Sequence, residues 1–199
     1  MKKNLFLIAI TSIGLMACGG KQQSAENQEA ATDTLTVEEP VVEETVSPDY
    51  VMLNLKGKVK SYELSGADYC DFVGGKVEFN EEGLIVKVNG EKADLERNDK
   101  GQITKYTWEV HLEDLEDEFN IYCYDENGQV KKIEYHGNFC DYDHTFERDE
   151  NGNVVKRINK SPTEGNSTDK YKYTEFDEQG NWTKCTSDGK ITRKITYWE

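Results

Sequence analysis

From about residue 58 onward, apolar and polar residues alternate in short runs separated by turn-forming residues. Residues 58–64, 76–80 and 84–88 read as the first three strands, because a period of two places successive side chains on opposite faces of a sheet. Asn89-Gly90 between two such runs signals a two-residue hairpin. Residues 102–112 alternate through Ile103, Tyr106, Trp108, Val110 and Leu112, although Ile103 and Tyr106 fall on opposite parities. Residues 119–124, 131–136, 139–148, 154–159, 171–176, 182–186 and 190–198 continue the pattern. Leu112, Leu115 and Phe119 also fit one or two helical turns, but both flanks are β-like, which favours a hairpin through residues 113–117. Residues 161–169 are rich in turn and polar types and read as a loop. The expected fold is all-β: an antiparallel meander of about twelve short strands built from repeated hairpins, as a curled open sheet or a partly closed, barrel-like sheet, with no convincing helix.

The turns repeat. Five times an Asn or Asp is followed by two mostly polar residues and a Gly, then an apolar residue two positions on and a Lys four positions on. The glycines are Gly83, Gly101, Gly128, Gly152 and Gly180; the lysines are Lys87, Lys105, Lys132, Lys156 and Lys184. An Asp or Asn followed three residues later by Gly suits a type I turn closed by a residue with positive φ, the connection of a short β-hairpin. That register sets Phe79 opposite Ile85, Arg97 opposite Ile103, Tyr124 opposite Val130, Arg148 opposite Val154 and Phe176 opposite Trp182. Strict alternation puts each Lys on the same face as the apolar residue before it, and the two arginines are expected to cover their partners while their heads reach water.

Tyr124-Asp125 and the near match Phe176-Asp177, with Asn after Gly at Gly152-Asn153 and Gly180-Asn181, resemble the YD or RHS repeat family from Phe79 to about Glu199. The resemblance implies a hairpin-repeat architecture. The shell-forming activity of that family is not carried over, since these repeats are too few to enclose a cargo.

The N-terminus has a different character. Lys2 and Lys3 precede an apolar stretch from Leu5 to Leu15 that is too short to span a membrane as a helix. Leu15-Met16-Ala17-Cys18 follows and resembles a bacterial lipoprotein signal, with Met16 bulkier than usual. That resemblance implies a signal peptide over residues 1–17, a lipid on Cys18 and anchoring to the outer membrane. Residues 18–49 carry one lysine and eight acidic residues and no aromatic, so they read as a disordered tether. Asp33-Thr34-Leu35 resembles an O-glycosylation site of some lipoproteins, and Gly19-Gly20 stands where an acidic surface-export signal would be, leaving the facing side of the membrane open. Residues 50–199 are left as one hairpin-repeat domain.

The chain has a net charge of −15, which argues against nucleic acid or an anionic membrane surface as partner. Cys70, Cys123, Cys140 and Cys185 are candidates for disulfides in an oxidising compartment, with no pairing preferred and no zinc spacing. Cys140 and His144 lie in one run, but a strand separates them by about 13 Å, too far for a nucleophile–base pair. Asp149, Asn151 and Asn153 begin like a calcium loop, yet Lys160 stands where the bidentate Glu belongs. No catalytic residue, metal or cofactor is assigned. Tyr106, Trp108, Tyr135, Trp182 and Trp198 are the candidate ligand-facing aromatics. The expected function is a lipid-anchored envelope module that binds a protein or glycan partner without catalysis. The alternatives are an enzyme acting on envelope polysaccharide through paired carboxylates and a purely structural component.

Overall fold

A computed structural model of the chain describes residues 46–66, 72–112 and 114–199. The expected signal peptide, the lipidation candidate Cys18, the Asp33 candidate and Cys70 lie outside the described residues. The described residues fall within one compact unit.

The described elements start with a short helix, α1 (Pro48–Leu53), and continue with β1 (Val59–Gly66), β2 (Lys76–Phe79), β3 (Ile85–Val88), β4 (Glu91–Lys92), β5 (Asp94–Arg97), β6 (Ile103–Trp108) and β7 (Glu118–Tyr124). Then follow β8 (Val130–His136), β9 (Asp141–Arg148), β10 (Val154–Ser161), β11 (Gly165–Lys170), β12 (Lys172–Phe176), β13 (Trp182–Thr186) and β14 (Lys190–Tyr197). They make two seven-stranded antiparallel sheets, ordered β12-β13-β14-β1-β2-β3-β4 and β11-β10-β9-β8-β7-β6-β5. The sheets are not one closed barrel. The chain turns from one into the other at two corners, through Ala93 between β4 and β5 and through Tyr171 between β11 and β12. Counting each cornered pair as one strand gives a meander of twelve, and residues of both sheets share a single apolar core.

The repeat is the hairpin unit. All five expected cross-strand pairs form: Phe79 with Ile85, Arg97 with Ile103, Tyr124 with Val130, Arg148 with Val154 and Phe176 with Trp182. In each turn the Asn or Asp carbonyl accepts from the Gly N–H, and its side chain accepts from the N–H four residues on, as in Leu84 N to Asn80 Oδ1 at 2.8 Å. The Gly φ values run from 76° to 81°, the left-handed region that a Cβ disfavours. Asn89 and Gly90 both have positive φ, as the two-residue hairpin requires.

One expectation about the repeat is corrected. The register slips by one residue just after each turn, so one residue between the apolar position and the Lys is unpaired. Such a bulge flips parity. The apolar residue faces the core and the Lys faces out, opposite Glu78, Glu96, Glu147 or Glu175 in four copies. Lys87 lies 3.6 Å from Glu78, Lys105 3.7 Å from Glu96 and Lys156 2.7 Å from Glu147, and Lys184 pairs with Glu175. Lys132, whose cross-strand neighbour is Cys123, reaches Glu134 and Asp143 instead. The same bulge reconciles Ile103 with Tyr106: both are buried.

Three further corrections concern elements. Residues 161–169 are not a loop throughout, because β11 pairs with β10 from Ser161–Gly165 to Lys156–Lys170. Polar side chains supply the reason: Arg157 and Asn159 of β10 bind Asp169 and Ser167 of β11, and this pairing overrides weak strand propensity. The chain also contains a helix. Ser47 caps it with a bond from Asp49 N, and Pro48 occupies its first turn, a start signal that the run Ser47-Pro48-Asp49 spells out. Third, Ser47 and Asp49 are buried, so the folded domain starts earlier than residue 50.

Helix α1 and the residues after it form a plug across the turn end of the sheets, meeting the five turns in chain order. Ser47 and Tyr50 lie against Gly83, Pro48 against Gly101, Val51 against Gly128, Asn54 against Gly152 and Lys56 against Gly180. Ser47 Oγ donates to Gly83 O at 2.7 Å. Asn54 Nδ2 donates to Asn153 Oδ1, and Lys56 N to Asn181 Oδ1 at 2.9 Å, so the Asn after the repeat Gly fastens the plug in the last two copies. Asp49, fully buried, accepts from Ile85 N and from both terminal nitrogens of Arg97. The arginine heads are therefore not in water. Arg97 and Arg148 each donate to the glycine carbonyl of their own turn.

Cys123, Cys140 and Cys185 carry no disulfide. Cys185 is buried in the core, and burial pushes its thiol up to about 11. It therefore stays protonated near neutrality, and a thiol reagent at pH 8 is expected to leave it unmodified until denaturant is added. Peptide mapping of labelled native and unfolded protein checks this. Equal labelling of Cys185 in both states would contradict the burial.

Candidate functional site

The inner face of the second sheet changes character with distance from the plug. Near the turns it is apolar, with Ile103, Val130 and Val154 buried. Toward the opposite end the same alternation places Tyr106, Trp108, Asn120, Tyr135, Tyr142, His144, Arg157 and Asn159 on that face. Tyr106 pairs across with Asn120, Asn120 with Tyr135, and Tyr135 with Tyr142. Their rings form a continuous row. Tyr106 and Trp108 are 5.3 Å apart, Trp108 and Tyr135 stack at 5.9 Å, Tyr135 and Tyr142 are 6.0 Å apart, and Tyr142 stacks on His144 at 5.7 Å.

Two cavities meet at this row. One, of about 180 Å³, is lined by Trp108, Asn120, Ile133, Tyr135, His144, Phe146 and Arg157. The other, of about 420 Å³, lies between the sheets, with Val88, Asn89 and Glu91 from the first and Tyr106, Trp108 and Asn120 from the second. Trp108 and Asn120 line both, so the cavities form one groove. Behind the lining residue Phe146 the Phe72 ring packs edge-on at 5.0 Å, and Tyr122 donates to the Phe72 carbonyl.

Glu118 organises the row. Its carboxylate accepts from Tyr135 Oη at 2.8 Å, from Asn138 N and Nδ2, and from Trp108. Burial alone would raise its pKa, but these donors outweigh burial and hold it below the usual carboxylate range. Glu118 is thus an ionised clamp holding two rings, not the raised-pKa acid that general-acid catalysis needs. Asn138 also exchanges hydrogen bonds with Glu116, at 2.8 and 2.9 Å, and ties the β8–β9 loop to the β6–β7 loop at the rim. Tyr142 donates to Glu164, a bond that holds its hydroxyl above the ordinary phenol range.

Deeper in, His144 Nδ1 lies 2.7 Å from Asn159 Oδ1, an acceptor, so Nδ1 carries the proton and Nε2 is left as an acceptor. Burial lowers the His144 pKa, so the ring is neutral near pH 7. Asn159 also donates to Asp169, which is paired with Arg157 at 2.8 Å. The acid of this network is therefore committed to neighbours. His144 bonds to Asn159, and Cys140 sits in the preceding loop, consistent with their separation along the strand.

Of the five aromatics singled out from sequence, the structure brings Tyr106, Trp108 and Tyr135 together. Trp182 is only 3% exposed and sits in the first sheet, with the Arg193 guanidinium 4.0 Å over its ring. Trp198 lies beside β1, with Lys60 4.8 Å over it. Neither is in the groove. Tyr142 and His144 join the row unforeseen. The run Asp141 to Glu147 announces them, with Tyr142, His144 and Phe146 alternating with Asp141, Asp143, Thr145 and Glu147. Among the described residues no cluster of three or more His, Cys, Asp or Glu could hold a metal ion. No protein-family model matches the chain, and no curated protein matches it.

Proposed function

We propose that the chain is a lipid-anchored envelope binding module, non-catalytic, which takes a protein or glycan partner in the groove at the end of the sheets away from the plug. The observation that carries this reading is the aromatic row held by Glu118 over a two-chambered groove. Concave sites that set aromatic rings beside fixed polar groups, as Trp108 and Tyr135 stand beside Asn120, His144 and Arg157 here, are where ligands seat.

The test is a titration of the full chain against envelope glycan fragments and peptides, read by tryptophan emission, with each candidate recovered and weighed by mass spectrometry. A binder is expected to move the emission, to return unchanged in mass and to lose the effect in Trp108→Ala. Turnover of any candidate would overturn the non-catalytic reading. Cys18→Ala is expected to move the protein from the membrane to the soluble fraction.

A further inference from the structure

We propose that the groove recognises a basic polypeptide segment, seating an Arg or Lys head group on Trp108 between carboxylates. This rests on the binding reading above and names its ligand class. Three observations point the same way. The first is how this fold treats its tryptophans. Trp182 carries Arg193 at 4.0 Å and Trp198 carries Lys60 at 4.8 Å, whereas among the described residues no cation of this chain lies over Trp108. Trp is the ring best suited to a cation, and Trp108, stacked on Tyr135, borders both cavities, so the groove offers it as a seat for a guanidinium or ammonium from elsewhere.

The second observation is charge. The β6–β7 loop and its neighbours place Glu109, Asp114, Glu116, Asp117, Asp141 and Glu164 at the rim, and the stretch from Tyr106 to Gln129 contains no Lys or Arg. The one arginine within the groove, Arg157, is paired with Asp169. Glu118 stays ionised directly beside Trp108. A cation over the ring therefore meets a full negative charge as well as the ring face, and the acidic rim raises its encounter rate. An anionic partner would be repelled.

The third observation separates a polypeptide from a small amine. Leu112 and Phe139 stand exposed on the two rim loops, 66% and 82% accessible, and Asn138 ties those loops together. A small amine has nothing to place there. A segment alternating basic and apolar side chains fills both the seat and the rim.

The test uses the full chain and three synthetic hexapeptides: Arg-Leu-Arg-Phe-Arg-Leu and its Gln-for-Arg and Glu-for-Arg counterparts, followed by fluorescence anisotropy of labelled peptide. Binding is expected for the arginine peptide alone, weakening as salt rises. Trp108→Ala is expected to lower its affinity by about tenfold or more with the net charge unchanged, and Trp108→Phe by less. Glu109→Gln, exposed and remote from the core, is expected to weaken it too. Glu178→Gln, the same charge change in the last turn at the plug end, is expected to leave it unchanged. Equal losses in Glu109→Gln and Glu178→Gln, or none in Trp108→Ala, would reduce the effect to general attraction for an acidic surface and overturn the proposal. Tight binding of the Gln peptide or of a neutral chitin oligosaccharide, lost in Trp108→Ala, would overturn the cationic ligand and leave the binding reading standing.

Discussion

Asp49→Ala is expected to destabilise the domain by about 3–5 kcal/mol, the range for breaking a buried ion pair from one side. Three consequences combine. Arg97, pinned at 2.6 and 2.7 Å by the two carboxylate oxygens, loses its counter-charge while its head stays largely covered. The Ile85 N–H loses its acceptor at the first residue of β3, where it is buried and has no water to turn to. The plug loses the contact that joins α1 to two turns of different hairpins. A domain of this size is stable by about 5–15 kcal/mol, so the loss is a large share of the whole. Urea unfolding followed by tryptophan emission measures it. Asp49→Asn keeps an acceptor for Ile85 N and is expected to fall between wild type and Asp49→Ala. The double replacement Asp49→Leu with Arg97→Met removes both charges and is expected to recover much of the loss, since an apolar pair of similar volume often matches a buried ion pair. A loss below about 1 kcal/mol for Asp49→Ala would place the pair in the class of solvent-exposed bridges and remove its role in holding the plug.

The plug also shows where reading this sequence succeeds and where it stops. Five hairpins and all five of their cross-strand pairings beside the turn were legible, because a glycine that must adopt positive φ three residues after an Asn or Asp leaves one register. The side on which each repeat Lys lies was not, because the bulge that follows such a turn carries no residue signature of its own. A signal for it existed nevertheless. Glu78, Glu96, Glu147 and Glu175 hold the same place in four copies, nine residues before the Lys, and a Glu opposite a Lys belongs on the solvent face. The burial of Trp182, which the sequence reading set among the ligand-facing aromatics, had a similar unread signal. It is the fifth copy's apolar position, equivalent to Ile85, Ile103, Val130 and Val154, all of them core residues.

The groove was legible only in part. Tyr106, Trp108 and Tyr135 stood out as strand aromatics, but their convergence depends on β6 and β8 flanking β7 at matching heights, a property of register across three strands. Glu118 had no local signal at all. Its importance comes from Trp108, Tyr135 and Asn138 arriving from three other segments. The plug was hidden for another reason: its partners, residues 80–181, are far along the chain, and only the cap signature Ser47-Pro48-Asp49 marks where it starts.

Whether the plug is a working part of the fold or merely lies against it is decided by comparing repeat glycines. Gly83 and Gly101 sit at the same place in two copies, with φ of 78° and 76°. Replacing either by Ala costs about 1–2 kcal/mol for the left-handed backbone alone. At Gly101 the added Cβ would find Pro48 Cγ at 3.5 Å, an ordinary contact. At Gly83 it would lie 2.8 Å from Tyr50 Cζ and 2.9 Å from Ser47 Cβ. Neither neighbour can retreat freely. Tyr50 is held by its bond to Val59 O at 2.6 Å, and Ser47 by its bond to the Gly83 carbonyl itself. Overpacking of this kind costs about 1–3 kcal/mol more. Gly83→Ala is therefore expected to lose about 2–5 kcal/mol against about 1–2 for Gly101→Ala, both measured by urea unfolding. The difference between them isolates the plug contact, because the backbone penalty is common to both. Equal losses would mean that α1 yields without cost, and the turns would then hold the sheets together unaided.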